Sequence, residues 1–161
     1  MNWKGANLET SPVRVLVVDD HEPFRRFVCS TLESSAELQI IGQAADGLEA
    51  VQKTEKLRPD LILLDLGLPG LNGMEAARRI RKLSPESKLL FVSQEASVDV
   101  VREALRLGAL GYVVKVDADE LLAAVDAVRQ GRQFVSSALS NHDFTVAADA
   151  QPPRLGAKPL L

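Results

Sequence analysis

LILLDLGLPGLNG, residues 61–73, is the stretch from which the rest of this chain can be read. Its first four residues are apolar without alternation, as expected for a strand covered on both faces. Asp65 follows immediately at the strand's end, and residues 72–83 then read as a helix with Met74, Ala77, Ile80 and Leu83 facing inward. A buried strand, an acid and a helix in succession make one β-then-α unit. The same unit recurs on both sides of it.

Upstream, residues 13–18 (VRVLVV) are short and β-branched, which predicts a strand. Residues 22–32 predict a helix with Pro23 in its first turn, where the missing N–H costs nothing, and with Phe24, Phe27, Val28 and Leu32 along one face. Residues 38–43 predict a second strand, and residues 47–57 a helix ended by the Arg58-Pro59 step. Downstream, strands are expected at 88–92 and 111–114. Helices are expected at 98–107, closed by Gly108, and at 119–129, stopped by Gly131. Five such units imply an α/β, doubly wound, five-stranded parallel sheet with right-handed crossovers and helices on both faces. Function is then expected at the C-terminal ends of the strands, beside the switch in strand order.

Composition bounds the answer. Of 161 residues, 46% are hydrophobic, enough for a core. The net charge of -3 lacks the basic excess of a bare nucleic-acid module, so no direct nucleic-acid binding is expected. Arg78, Arg79, Arg81 and Lys82 read as a solvated helix face. The single cysteine, Cys29, reads as a buried, inert thiol and points to a reducing compartment. Residues 1–12 lack an apolar signal segment, and no apolar run is long enough to span a bilayer, so a cytoplasmic location without membrane contact is expected. Residues 1–12 read as an N-terminal tail and 13–134 as the folded domain. Residues 135–161, with Pro152, Pro153, Gly156 and Pro159, read as a flexible C-terminal tail.

The predicted strand ends carry Asp19 and Asp20, Asp65, Ser93 and Lys115. Singly each is ordinary: an acid after a strand is often a helix N-cap, and a lone lysine is usually solvated. Together they put three carboxylates, a hydroxyl and an ammonium on one rim. Clustered carboxylates repel unless a cation intervenes, and a hard divalent ion such as Mg²⁺ suits oxygen ligands and phosphate. Asp65 is the best nucleophile, since a carboxylate can attack phosphorus to give an acyl phosphate. Phosphoryl transfer needs mainly positioning and charge neutralisation, which the metal and Lys115 would supply.

These residues resemble the receiver domain of bacterial two-component response regulators. The matching pieces are VVDD (17–20), LILLDLGLPGLNG (61–73), FVS (91–93) and GALGYVVK (108–115), and the second and fourth are most similar to the NarL/FixJ branch. The resemblance covers about residues 13–134 and implies a flavodoxin-like strand order, 2-1-3-4-5. It implies Asp65 as phosphoacceptor, Asp20 as direct Mg²⁺ ligand, Asp19 acting through metal-bound water, and the Gly67 backbone carbonyl as a further ligand. It also implies Ser93 as switch hydroxyl, Tyr112 as switch aromatic and Lys115 as the phosphate-binding lysine. A sensor histidine kinase or phosphotransfer protein would be the donor, and the helix 4–strand 5–helix 5 face would switch to control a partner or a homodimer.

The sequence departs from that pattern in three places. Many receivers carry proline after the lysine, often cis; here Val116 follows, and a trans bond is expected. Gly67 offers no side chain to modulate attack by water. The branch usually continues into a helix-turn-helix output domain, whereas this chain runs into a Pro-containing tail. The readings to separate are therefore a stand-alone receiver and the receiver part of a transcriptional regulator whose DNA-binding domain is missing. A third is an aspartate-nucleophile phosphatase, which would want an acid where Gly67 stands. A flavodoxin-like cofactor binder is opposed by the acidic pair after strand one.

Overall fold

The computed structural model describes residues 11–144, and the expectations for the terminal tails beyond them lie outside the described residues. Six parallel strands form one sheet in the order β2-β1-β3-β4-β5-β6: β1 (Val13–Val18), β2 (Leu38–Ala44), β3 (Leu61–Leu64), β4 (Lys88–Ser93), β5 (Gly111–Val114) and β6 (Phe134–Val135). The first five follow the expected order. The helices between them are α1 (Glu22–Glu33), α2 (Gly47–Leu57), α3 (Gly73–Leu83), α4 (Val98–Arg106) and α5 (Leu121–Arg129).

Alternation along the strands sorts the core onto two faces. Leu16, Ile62, Leu64, Leu89, Phe91 and Tyr112 pack with α2, α3 and α4. Val15, Val17, Leu61, Leu63, Leu90 and Val113 pack with α1 and α5. Cys29 is free and buried in the second cluster. Local signals start the helices where the sequence puts them. Asp46 accepts from the Glu49 N–H at 2.8 Å while Glu49 Oε1 accepts from the Ala45 N–H at 2.8 Å, a reciprocal cap. Asn72 accepts from the Glu75 N–H at 3.0 Å. Arg58 ends α2 with φ 48°, and the Arg14 guanidinium donates to the carbonyls of Arg58 and Leu57 at 2.7 Å each.

Three expectations are corrected. The fifth helix does not begin at Asp119: a 3-10 helix, Lys115–Glu120, comes first and α5 follows from Leu121. Phe27 is 45% exposed rather than on the inward face of α1. Order does not stop at residue 134. The chain adds β6, whose Val135 pairs with Tyr112, then a 3-10 turn at Ser137–Leu139, and it buries Leu139 and Phe144 in the first cluster. Residues 135–144 are thus fixed by burial and pairing.

Candidate functional site

Strand register brings the candidate residues together. Val18 pairs with Leu64, so the next residues, Asp19 and Asp65, leave the sheet side by side. Their backbones are held there: the Asp19 N–H donates to the Ala44 carbonyl at 3.0 Å and the Asp65 N–H to the Val18 carbonyl at 3.1 Å. Ser93 pairs with Val114, which sets Lys115 one step beyond Ser93 on the same rim. The chain order reverses at β1 and β3, and the rim lies at the C-terminal ends of those two strands, the usual place for a site in an open α/β sheet.

Two glycines let the loop after Asp65 close down. A Cβ on Gly73 would lie 2.1 Å from the Asp65 carbonyl oxygen, and one on Gly47 would lie 1.8 Å from the Leu71 carbonyl oxygen. Any side chain at either position would push this loop off the sheet. Gly67 is the opposite case: a Cβ there would meet nothing within 4 Å, so this position faces open space. Its N–H donates to Asp65 Oδ1 at 3.3 Å.

Asp19 and Asp65 are buried and Asp20 is exposed, yet each offers a carboxylate oxygen within 4.8 Å of the other two. Asp19 is oriented by the His21 N–H, which donates to its Oδ1 at 2.8 Å. Lys115 Nζ reaches Asp19 Oδ2 at 2.8 Å and Asp65 Oδ2 at 3.2 Å, with its side chain 14% exposed. Burial alone would lower the lysine's pKa. The hydrogen bond to Asp19 and the charges of Asp65 and Asp19 outweigh it and raise the pKa above its ordinary value. One ammonium against three carboxylates leaves the rim net negative. The donor set, all oxygen and tightly spaced, suits a hard divalent cation.

Behind the rim, Ser93 and Tyr112 are linked through one loop residue. The buried Ser93 Oγ accepts from the Glu95 N–H at 3.2 Å, and the Tyr112 hydroxyl donates to the Glu95 carbonyl at 2.7 Å. The Tyr112 ring is fully buried, 6.0 Å from the Phe91 ring between centroids. Burial pushes its phenol pKa well up; a hydrogen bond with Ser93 opposes this, and the charges of Glu95 and Asp65 add to it. The Lys115–Val116 peptide is trans, and among the described residues there is no cis bond.

All seven candidate residues, Asp19, Asp20, Asp65, Gly67, Ser93, Tyr112 and Lys115, thus lie on or directly behind one rim. Sequence reasoning missed two participants. Glu95 acts through its backbone, which composition does not reveal. Phe24 packs on the apolar face of α1 as expected, and its ring also lies against Lys115 Nζ, which stands 4.4 Å from its centroid.

Residues 15–126 match the response regulator receiver domain. The chain is 36% identical over 124 residues to the transcriptional regulatory protein DegU of Brevibacillus brevis, covering 76% of this chain and 52% of that protein. It is 33% identical over 130 residues to the nitrate/nitrite response regulator protein NarL of Escherichia coli K12, covering 80% of this chain and 60% of the relative. Among solved structures, it resembles a LuxR-family two-component response regulator from Aurantimonas sp. SI85-9A1 with a TM-score of 0.77 and 32% identity, over 81% of this chain and 94% of that one. It also resembles the receiver domain of the NarL response regulator from Mycobacterium tuberculosis, with a TM-score of 0.72 and 33% identity, over 76% of this chain and 99% of that one. The fold, the rim and these likenesses agree: the chain belongs to the response regulator receiver family of two-component systems, with NarL- and LuxR-type relatives. It spans between half and three fifths of the length of these curated relatives. Among the described residues no helix is long and apolar enough to cross a membrane.

Proposed function

We propose that the chain is a phosphoacceptor that takes a phosphoryl group on Asp65 from a sensor histidine kinase or phosphotransfer protein in the cytoplasm. The observation that carries this reading is the Lys115 ammonium 2.8 Å from Asp19 and 3.2 Å from Asp65, inside a cluster of three carboxylates. Asp19, Asp20 and Asp65, with the Gly67 carbonyl, would hold Mg²⁺, which supplies charge neutralisation for phosphoryl transfer. A carboxylate oxygen of Asp65 forms the new bond to phosphorus as the bond to the donor's histidine nitrogen breaks, and the donor imidazole leaves. Lys115 neutralises an equatorial phosphoryl oxygen.

The new charge of about −1.5 to −2 then biases a two-state element. Ser93 turns its hydroxyl toward the phosphoryl group, which breaks its present link to Glu95. Tyr112, whose ring is already buried with its hydroxyl on the Glu95 carbonyl, is left as the remaining anchor of that loop, and the face formed by α4, β5 and α5 changes shape to engage a partner or a second copy. Turnover on external substrates is not part of this reading, because Gly67 leaves no second acid two residues after the nucleophile.

A second reading, the receiver part of a transcriptional regulator, draws support from relatives named as transcriptional regulatory proteins. Salt-dependent DNA binding by the longest natural product that carries this receiver, with and without phosphorylation, separates the two. For the phosphoacceptor itself, mass spectrometry before and after acetyl phosphate with Mg²⁺ is decisive. The native chain gains one phosphoryl group and Asp65→Asn gains none. Stoichiometric labelling of that variant would refute the assignment.

A further inference from the structure

Lys115 has a third partner that ion pairing does not explain. The ammonium stands 4.4 Å from the centroid of the Phe24 ring, within cation–π range. Phe24 projects from the first turns of α1, half-buried, and packs against the core cluster that contains Val15 and Val17. Phe27 backs it from the same helix, with ring centroids 5.8 Å apart and a 37° tilt. The ring is therefore held by the core and by a second aromatic, rather than swinging freely in the cleft mouth.

The three partners of Lys115 differ in one respect. Asp19 and Asp65 are the carboxylates that a divalent cation would claim, and that cation would also repel the ammonium. The Phe24 ring is neutral, has no oxygen to offer a hard ion, and attracts the lysine whether or not metal is bound. A lysine with carboxylate partners alone would be displaced into solvent as the metal entered. It would then have to return when the phosphoryl group arrived.

We infer that Phe24 is a positioning residue for Lys115: its ring retains the ammonium beside Asp65 while a divalent cation occupies the carboxylates. This deepens the phosphoacceptor reading and rests on it for its purpose, although the contact itself does not. The ring carries no group that can react at phosphorus, and its role runs through the lysine.

Proton NMR of the full chain at saturating Mg²⁺ tests the contact. The Lys115 ε-methylene protons, whose carbon bears the Nζ that stands 4.4 Å from the ring centroid, are expected to be shifted upfield by the ring current in the native chain. The shift persists in Phe24→Tyr, which keeps the aromatic face, and disappears in Phe24→Leu, which keeps the apolar bulk. Ordinary ε-methylene positions in the Mg²⁺-saturated native chain would overturn the inference. Labelling by acetyl phosphate at saturating Mg²⁺ reads the consequence. A cation–π contact of the usual strength corresponds to a roughly 3- to 10-fold slower labelling rate in Phe24→Leu, with recovery in Phe24→Tyr. Native-like labelling of Phe24→Leu, or a Phe24→Tyr variant as slow as Phe24→Leu, would also overturn it. If the native chain took no phosphoryl group at all, the phosphoacceptor reading would fall, while the ring-current shift would still decide where Phe24 holds the lysine.

Discussion

At the rim, carboxylates of like charge stand within 4.8 Å of one another, with one ammonium between them. At the far edge of the sheet, residues 134–144 are held by the opposite means, apolar burial and satisfied backbone groups. The Phe134 and Ser136 N–H groups donate to the Leu110 and Tyr112 carbonyls at 3.0 Å each. Asp117 and Glu120 accept from the Ala138 and Ser137 N–H groups at 2.7 and 3.1 Å. Leu139 and Phe144 are buried below, with the Arg102 guanidinium 5.8 Å over the Phe144 ring. The rim costs stability to keep charge in place for a ligand; the edge supplies stability and holds no chemistry. They share β5, which sends Lys115 to the rim and pairs through Tyr112 with the edge.

If that division holds, damage to the edge lowers stability without altering the rim. Phe144→Ala is the largest such lesion. Removing a buried phenylalanine costs about 3 kcal/mol, read by urea unfolding at neutral pH. Acetyl phosphate should label the folded variant at the native rate. A slowed rate would show that the edge and the rim are one mechanical unit.

Ser136→Ala sharpens the comparison, because Ser136 lies where the two regions meet. Its buried Oγ accepts from the Val114 N–H at 3.0 Å, and Val114 is the residue before Lys115. Loss of the acceptor leaves a buried amide unpaired, for about 1–2 kcal/mol. This smaller destabilisation should nevertheless slow labelling of Asp65 more than Phe144→Ala does. Equal labelling rates in the two variants would mean that the Val114 hydrogen bond does not help to set Lys115.

The same division explains what could be read from the sequence. The apolar runs at Leu61–Leu64 and Val13–Val18 announce themselves because central parallel strands are covered on both faces. The rim was legible because its acids come at the ends of those runs, and its hydroxyl and lysine at the ends of the apolar runs of β4 and β5. The edge was not. Phe134–Val135 is too short to show a period, and its evidence is the pairing with β5. Leu139 and Phe144 are single apolar residues in a polar stretch, and the acceptors for residues 137 and 138 come from the turn before α5. Periodicity also failed for α1 at one position. Phe24 and Phe27 share a helix side three residues apart, and only the position of the neighbouring elements decides that Phe27 is left 45% exposed.

Tyr112 gives the smallest effect and tests the shared strand directly. Its hydroxyl donates to the Glu95 carbonyl at 2.7 Å, so Tyr112→Phe should cost about 1 kcal/mol at pH 7. Burial raises the phenol's pKa in the folded state above the unfolded value of about 10. Below that value both states keep the proton and the contribution is whole. As pH rises past it, the unfolded chain sheds a proton that the folded chain retains, and stability falls by at most about 1.4 kcal/mol per pH unit. Lys115, also raised, loses its contribution in the same direction, but it does so in both proteins. The difference between native and Tyr112→Phe unfolding curves therefore isolates the phenol: the gap present at neutral pH should narrow as pH climbs above about 10. A gap that stayed constant to the alkaline limit would mean that the hydroxyl titrates as in the unfolded chain, and the sealed link from Tyr112 through Glu95 to Ser93 would have to be abandoned.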